Sequence, residues 1–149
     1  MPLILSAPQA ADRPDWTRLY RGYADYYGMP MDEETLETVW GWIHQADMDF
    51  YCRLAKAENG QAIGLMHYRA MPSPLRGAHI GFLDDLYVDP EHRGSGTVDA
   101  MLDALREEAR GHGWPFVRWI TREQNYRARA VYDRHATRTD WQTYQLDAQ

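Results

Sequence analysis

The sequence predicts an α/β domain in which a mixed, mainly antiparallel central sheet is flanked by helices on both faces. Three observations carry that expectation. Apolar residues recur at helical spacing towards both ends of the chain but alternate in its middle third. The alternating stretches are joined by short loops rich in Gly, Pro and Asn, which suits antiparallel neighbours. No linker, repeat or low-complexity segment interrupts the 149 residues, so 1–149 is read as one domain around one core.

Taken in order, the first helix begins near Asp12, with Pro14 in its first turn, where a missing N–H is harmless. Trp16, Leu19, Tyr20 and Tyr23 follow at i, i+3, i+4 and i+7 and form its apolar face. Gly28 and Pro30 break the chain, and Asp32 stands ready to cap a second helix whose apolar face is Leu36, Val39, Trp40 and Ile43. Phe50, Cys52 and Leu54 then alternate with Tyr51, Arg53 and Ala55 as a half-buried strand. Glu58-Asn59-Gly60 carries hairpin chemistry and leads to a second strand, from about Ala62 to Met71. Beyond PSPLRG a third strand runs from about His79 to Val88. Val98, Met101, Leu102, Leu105 and Ala109 restore the helical period, which Gly111 and Gly113 end. FVRWIT, residues 116–121, reads as a strand. A short helix from Asn125 to about His135 aligns Ala128, Val131, Tyr132 and His135, and WQTYQL reads as a final strand.

Composition narrows the function classes. A net charge of −6 and a pI near 5.4 argue against a nucleic-acid partner, which calls for a basic footprint. The single cysteine, Cys52, excludes a disulfide framework within the chain and reads as a buried structural thiol. The six histidines lack metal-ligand spacing, so no metal is expected. The start, MPLILSAPQAADRPDW, has too short an apolar run for a secretory leader, and no run approaches the roughly 18 apolar residues of a membrane span. A cytoplasmic protein without a membrane partner is the expectation.

The informative stretch is LDDLYVDPEHRGSG, residues 83–96: two acids within an apolar strand, then a glycine loop opening a helix. Free amides at a helix start and bare glycine backbone suit a diphosphate, although an ordinary tight turn has the same composition. A Walker loop needs GxxxxGK[ST], which is absent. A dinucleotide fingerprint needs a third glycine near position 99, which is Asp99.

These residues resemble the GNAT superfamily of acyl-CoA N-acetyltransferases. The family's [QR]-x-x-G-x-[GA] loop falls on Arg93 to Val98, and its N-x-x-A-x-x-x-Y helix falls on Asn125, Ala128 and Tyr132. LDDLYV is similar to the L-[ED]-D-[LF]-[FY]-V strand of the diamine and thialysine acetyltransferase branch. Two departures stand out: Val98 replaces a glycine or alanine, and DRHAT follows Tyr132 where a glycine and an aromatic are common.

The resemblance implies a GNAT-like fold and transfer of an acetyl group from acetyl-CoA to a primary amine by direct attack on the thioester. The acceptor it implies is a small cationic amine, a polyamine or lysine-like molecule. A protein N-terminus or lysine, or silent acyl-CoA sensing, are the alternatives. The strand edge Leu86, Tyr87 and Val88 is expected to bind the cofactor arm, with a backbone N–H polarising the thioester carbonyl. Arg93, Gly94, Ser95, Gly96, Thr97, Val98 and Asp99 are expected to hold the pyrophosphate. Asn125 and Ala128 are placed along the pantetheine and Arg134 at a phosphate, with Tyr132 as general acid to the departing thiolate. Family members often form homodimers, and one is expected here.

On the acceptor side, neighbours on a strand point to opposite faces, so at most one of Asp84 and Asp85 should face the reacting centre unless the strand bulges. Asp84 is favoured as holder of the substrate ammonium, with direct base and structural salt bridge as other roles; Asp85 is kept as a substrate contact. His67, Tyr26 and Tyr27 complete the candidate substrate residues: a histidine titrates in the useful range, and phenol rings attract an ammonium.

Overall fold

The computed structural model describes residues 3–149. A short edge strand β1 (Ile4–Ser6) precedes helix α1 (Arg13–Tyr26) and helix α2 (Glu33–Ile43). Strands β2 (Phe50–Lys56), β3 (Ala62–Ser73) and β4 (Ala78–Val88) form the meander, followed by helix α3 (Thr97–His112), strand β5 (Val117–Arg118) and helix α4 (Tyr126–His135). The sheet order is β1-β2-β3-β4-β5, antiparallel except for the parallel pair β4–β5.

Local chemistry explains these boundaries. Pro14 lies in the first turn of α1, and the Asp32 carboxylate accepts the Thr35 N–H at 2.8 Å to cap α2. Gly96 and Gly113 bracket α3, both at positive φ, +84° and +75°, which side chains resist.

Helices cover both faces of the sheet. Trp16 and Leu19 of α1 and Leu36 and Val39 of α2 pack on Phe50, Cys52, Leu54 and Leu65. Met101, Leu102, Leu105 and Ala109 of α3 pack on Met66, Tyr68, Leu83 and Val88 from the other side. Fully burying an apolar side chain of this size contributes about 1.5–3 kcal/mol, so these two layers hold the scaffold rigid around whatever lies between them. Cys52 lies in the first layer, where burial raises its thiol well above the ordinary range, as befits a structural residue.

Three expectations change. The strand over 116–121 contracts to Val117–Arg118, because β5 pairs with β4 only at Gly81 and Phe82. WQTYQL forms no strand: residues 137–149 take up neither helix nor strand, with Trp141, Tyr144 and Leu146 exposed. β1, unforeseen, pairs with β2.

The β3–β4 register carries the feature that matters most for the site. His67 pairs with Asp85 and Tyr68 with Leu83, which leaves Asp84 as the extra residue of a β-bulge. Leu83 and Leu86 both pack into the α3-side layer, so the two acids between them share the α1 side. The alternation expected of Asp84 and Asp85 is therefore broken, and both carboxylates face one way.

Candidate active site

Strands β4 and β5 pair over two residues and then part, and the gap becomes a cleft of about 430 Å³. Leu86, Tyr87 and Val88 form one wall. Their partners on the β3 side are Met66, Leu65 and Gly64, so the edge facing the cleft is open. His92 to Gly94 and Gly96 to Asp99 close one end. Asn125, just before α4, joins Arg127, Ala128, Val131, Tyr132 and Arg134 of that helix, and Tyr27, just after α1, joins Tyr23 and Tyr26 of that one.

The glycine loop has the geometry of an anion cradle. Gly94 and Gly96 sit at φ +80° and +84°, the left-handed conformation found in anion-binding backbone turns. No side chain caps α3, whose first-turn amides have no acceptor within the helix. Ser95 Oγ instead donates to the His92 carbonyl, which tightens the loop, and lies 2.9 Å from Thr97 Oγ1. Val98 borders the cleft and packs on the α3-side layer.

The charged residues around the loop divide unexpectedly. Arg93 folds back, donating from Nε to the Val88 carbonyl at 3.0 Å with its guanidinium over the Tyr87 ring. Arg134 is engaged by both oxygens of Asp99, at 2.9 and 3.1 Å, and His135 Nε2 lies 2.6 Å from the same carboxylate. These bonds, His135 first, hold the Asp99 carboxyl below its usual range. Arg134 is thus paired with Asp99 beside the loop, rather than standing free for the phosphate contact expected of it. Arg127, which the sequence reading did not single out, lies at the loop: its Nη2 is 3.7 Å from where a Cβ on Gly94 would stand.

Tyr132 borders the cleft with its ring edge-on to Trp119, centroids 5.3 Å apart. Burial, with Tyr27 and Tyr26 nearby, pushes its phenol up to about 12, so it stays protonated and can donate. Asn125 spans the mouth: its Nδ2 donates to Thr121 Oγ1 at 3.1 Å and its Oδ1 accepts from Tyr26 Oη at 3.4 Å.

The tyrosine end of the cleft rests on the acid pair. Asp84 accepts from Arg69 Nε at 3.0 Å, yet desolvation raises its carboxyl above the usual range. Burial would raise Asp85 too, but the hydrogen bonds from His67 and Tyr20, at 2.9 and 3.1 Å, outweigh it and lower that carboxyl. His67 is fully buried, with Nδ1 2.9 Å from Asp85 Oδ2 and Nε2 accepting from Trp16 Nε1 at 3.0 Å. Neither nitrogen is free, so the expected direct contact between His67 and substrate gives way to a supporting one. Tyr23, read from its spacing as core, reaches the cleft, its hydroxyl 3.3 Å from the Asp84 carbonyl.

Asp89, Glu91 and His92 form the one group of three potential metal ligands found among the described residues. Asp89 is engaged there by Arg18 Nη1, at 2.8 and 2.7 Å. No helix among the described residues is long and apolar enough to cross a membrane.

Comparison with known proteins converges on one family. The model of the acetyltransferase (GNAT) family matches residues 16–136. The chain is 26% identical over 139 residues to a D-amino-acid N-acetyltransferase of Saccharomyces cerevisiae, covering 93% of this chain and 86% of that one. It is 29% identical over 138 residues to an aminoglycoside N(6')-acetyltransferase type 1 of Stenotrophomonas maltophilia, covering 87% and 86%. Among solved structures, AAC(6')-Iy in complex with the bisubstrate analog CoA-S-monomethyl-acetylneamine superposes with a TM-score of 0.83 at 17% identity, over 100% of this chain and 99% of that one.

Proposed function

The chain belongs to the acetyltransferase (GNAT) family, and from that premise we propose that it moves the acetyl group of acetyl-CoA to the primary amine of a small cationic acceptor. The observation that carries the proposal is the continuity of the cleft, from the left-handed glycine loop, past Tyr132, to tyrosines backed by Asp84 and Asp85. One end suits a diphosphate and the other an ammonium. Polyamines and lysine-like amines, as in the diamine and thialysine branch, are the proposed acceptors. The relatives named for D-amino acids and aminoglycosides also act on amines.

In the proposed reaction the amides of residues 94–99 and the Arg127 guanidinium hold the diphosphate. Leu86, Tyr87 and Val88 hydrogen-bond the pantetheine arm through their open edge, with Asn125 opposite and Ala128 leaving it room. The acceptor first loses a proton to water beside Asp84, since an ammonium with a pKa near 10.4 has no lone pair to attack with. Its nitrogen then bonds to the thioester carbon, and a backbone N–H of β4 stabilises the oxyanion. As the C–S bond breaks, the Tyr132 hydroxyl passes its proton to sulfur. The proton shed by the new amide nitrogen, relayed through water, restores the phenol. The products are the acetamide, coenzyme A as a thiol, and the one proton released at the start.

A homodimer is proposed as the working unit, since Trp141, Tyr144 and Leu146 stay largely exposed within one chain. The functional test is a panel of polyamines, lysine analogues, D-amino acids, aminoglycosides and peptides assayed with acetyl-CoA. Turnover of small amines over peptides supports the proposal. Coenzyme A binding with no turnover would reduce the chain to a sensor.

A further inference from the structure

A second hollow, of about 650 Å³, adjoins the tyrosine end of the cleft. The two share Tyr26, Tyr27, Asn125 and Arg127 as common walls. The Tyr26 hydroxyl, 3.4 Å from Asn125 Oδ1, marks the border between them. The hollow's remaining walls are Asp25, Gly28, Arg122, Gln124 and Tyr126.

Its charges are unspent. Most arginines of this acidic chain pair with a carboxylate, Arg18, Arg21, Arg69 and Arg134 among them. Arg122 does not. Among the described residues its guanidinium has no hydrogen-bond or carboxylate partner, and it rests over the Tyr27 ring, 5.8 Å from the centroid. Arg127, with Nη2 near Gly94, is already assigned to the diphosphate, which leaves Arg122 as the cation of the hollow. Asp25 is the hollow's one carboxylate, and it too is unpaired among the described residues. Opposite charges thus line one hollow without neutralising each other.

A guanidinium held on an aromatic ring keeps its N–H groups unused, and their planar fork matches a carboxylate. The ring that holds Arg122 also leads back to the reacting centre. Tyr27 packs on Tyr23, centroids 4.9 Å apart, and the Tyr23 hydroxyl is 3.3 Å from the Asp84 carbonyl. Two rings in contact therefore join the Arg122 cation to the acid pair.

Resting on the acetyl-transfer reading, we propose that Arg122 is a specificity-determining residue: it binds a carboxylate on the acceptor whose amine lies at the Asp84 end. Amino acids then fit better than polyamines, which offer Arg122 only another cation. Asp25 suits the ammonium that a diamino acid carries beside its carboxylate.

The test uses amine pairs that differ only in a carboxylate: lysine with cadaverine, ornithine with putrescine, and both enantiomers of alanine with ethylamine, each assayed with acetyl-CoA. In the pair turned over best, kcat/KM should favour the carboxylate-bearing member about tenfold, the low end for a hydrogen bond to a charged group. Arg122 is exposed, so the ratio should shrink as salt is added. Arg122→Gln should bring the ratio to about one, and Arg122→Lys, which keeps the charge but not the fork, should give an intermediate value. The acetyl-CoA KM should stay put in both variants. A purely structural effect would lower both members of a pair together and leave their ratio alone. A wild-type ratio of one or below, a ratio unmoved by Arg122→Gln, or turnover confined to amines without a carboxylate overturns the inference while leaving acetyl transfer intact. Wild-type protein that acetylates no amine overturns the acetyl-transfer reading itself, and the inference with it.

Discussion

Tyr132→Phe removes one oxygen and little else. The ring keeps its edge-on packing against Trp119, so no apolar contact is lost and stability should move by less than about 1 kcal/mol. The hydroxyl is what the leaving thiolate needs. A positioned general acid contributes about 10²–10⁴-fold, so kcat should fall by that factor, about 3–5 kcal/mol of barrier. Acetyl-CoA affinity should change less than about threefold, because the diphosphate and pantetheine contacts lie on other residues. The pH profile gives a second reading. Only the protonated phenol can donate, and burial beside Tyr27 and Tyr26 pushes its pKa up to about 12, above the ordinary value of about 10. Wild-type kcat should therefore show no alkaline loss up to about pH 10, whereas an unshifted phenol would already be half ionised there. Steady-state kinetics with saturating amine, together with calorimetric titration of acetyl-CoA, measures both. Unchanged kcat in the variant, or loss of turnover that tracks loss of cofactor binding, would remove Tyr132 from the chemistry.

Further predictions concern the other parts of the site. Gly94→Ala forces a Cβ into a backbone at φ +80°, costing roughly 1–2 kcal/mol, and sets a methyl 3.7 Å from Arg127 Nη2; acetyl-CoA binding measured by calorimetry should weaken about tenfold. Binding equal to wild type would mean that the loop holds no phosphate. Asp84→Asn should raise the amine KM severalfold with the acetyl-CoA KM unchanged; a change confined to the cofactor would exclude Asp84 from the acceptor end. Removing residues 137–149 strips the exposed Trp141, Tyr144 and Leu146, and should turn a dimer in sedimentation velocity into a monomer. A full chain that sediments as a monomer contradicts the dimer.

The helices were legible because their signals are local. Asp32 caps α2 as its side-chain chemistry demands, and Trp16, Leu19, Leu36 and Val39 are buried as their spacing requires. The glycine loop was legible for the same reason, since Gly94 and Gly96 take the left-handed conformations that justify glycine there. What escaped depends on partners far away in sequence. The bulge at Asp84 is a property of how β4 pairs with β3, and no composition of LDDLYV announces it. His67 looked like a free titrating group because nothing local reveals Trp16, fifty-one residues earlier, donating to it. Tyr23 kept the helical period of a core residue, yet the end of α1 borders the gap where β4 and β5 part. WQTYQL has strand-forming residues yet pairs with neither edge strand, β1 nor β5, and β1 is three residues long, too short for a period to register. Arg127 carried no signal at all: an arginine on an exposed helix start becomes informative only once Gly94 is seen beside it.

The most direct test is a crystal structure of the chain with coenzyme A bound. The account predicts diphosphate oxygens about 3 Å from the amides of residues 94–99, the arm along Leu86 to Val88, and sulfur within reach of the Tyr132 hydroxyl. Coenzyme A bound on another surface, or in this cleft with its sulfur remote from Tyr132, would contradict it.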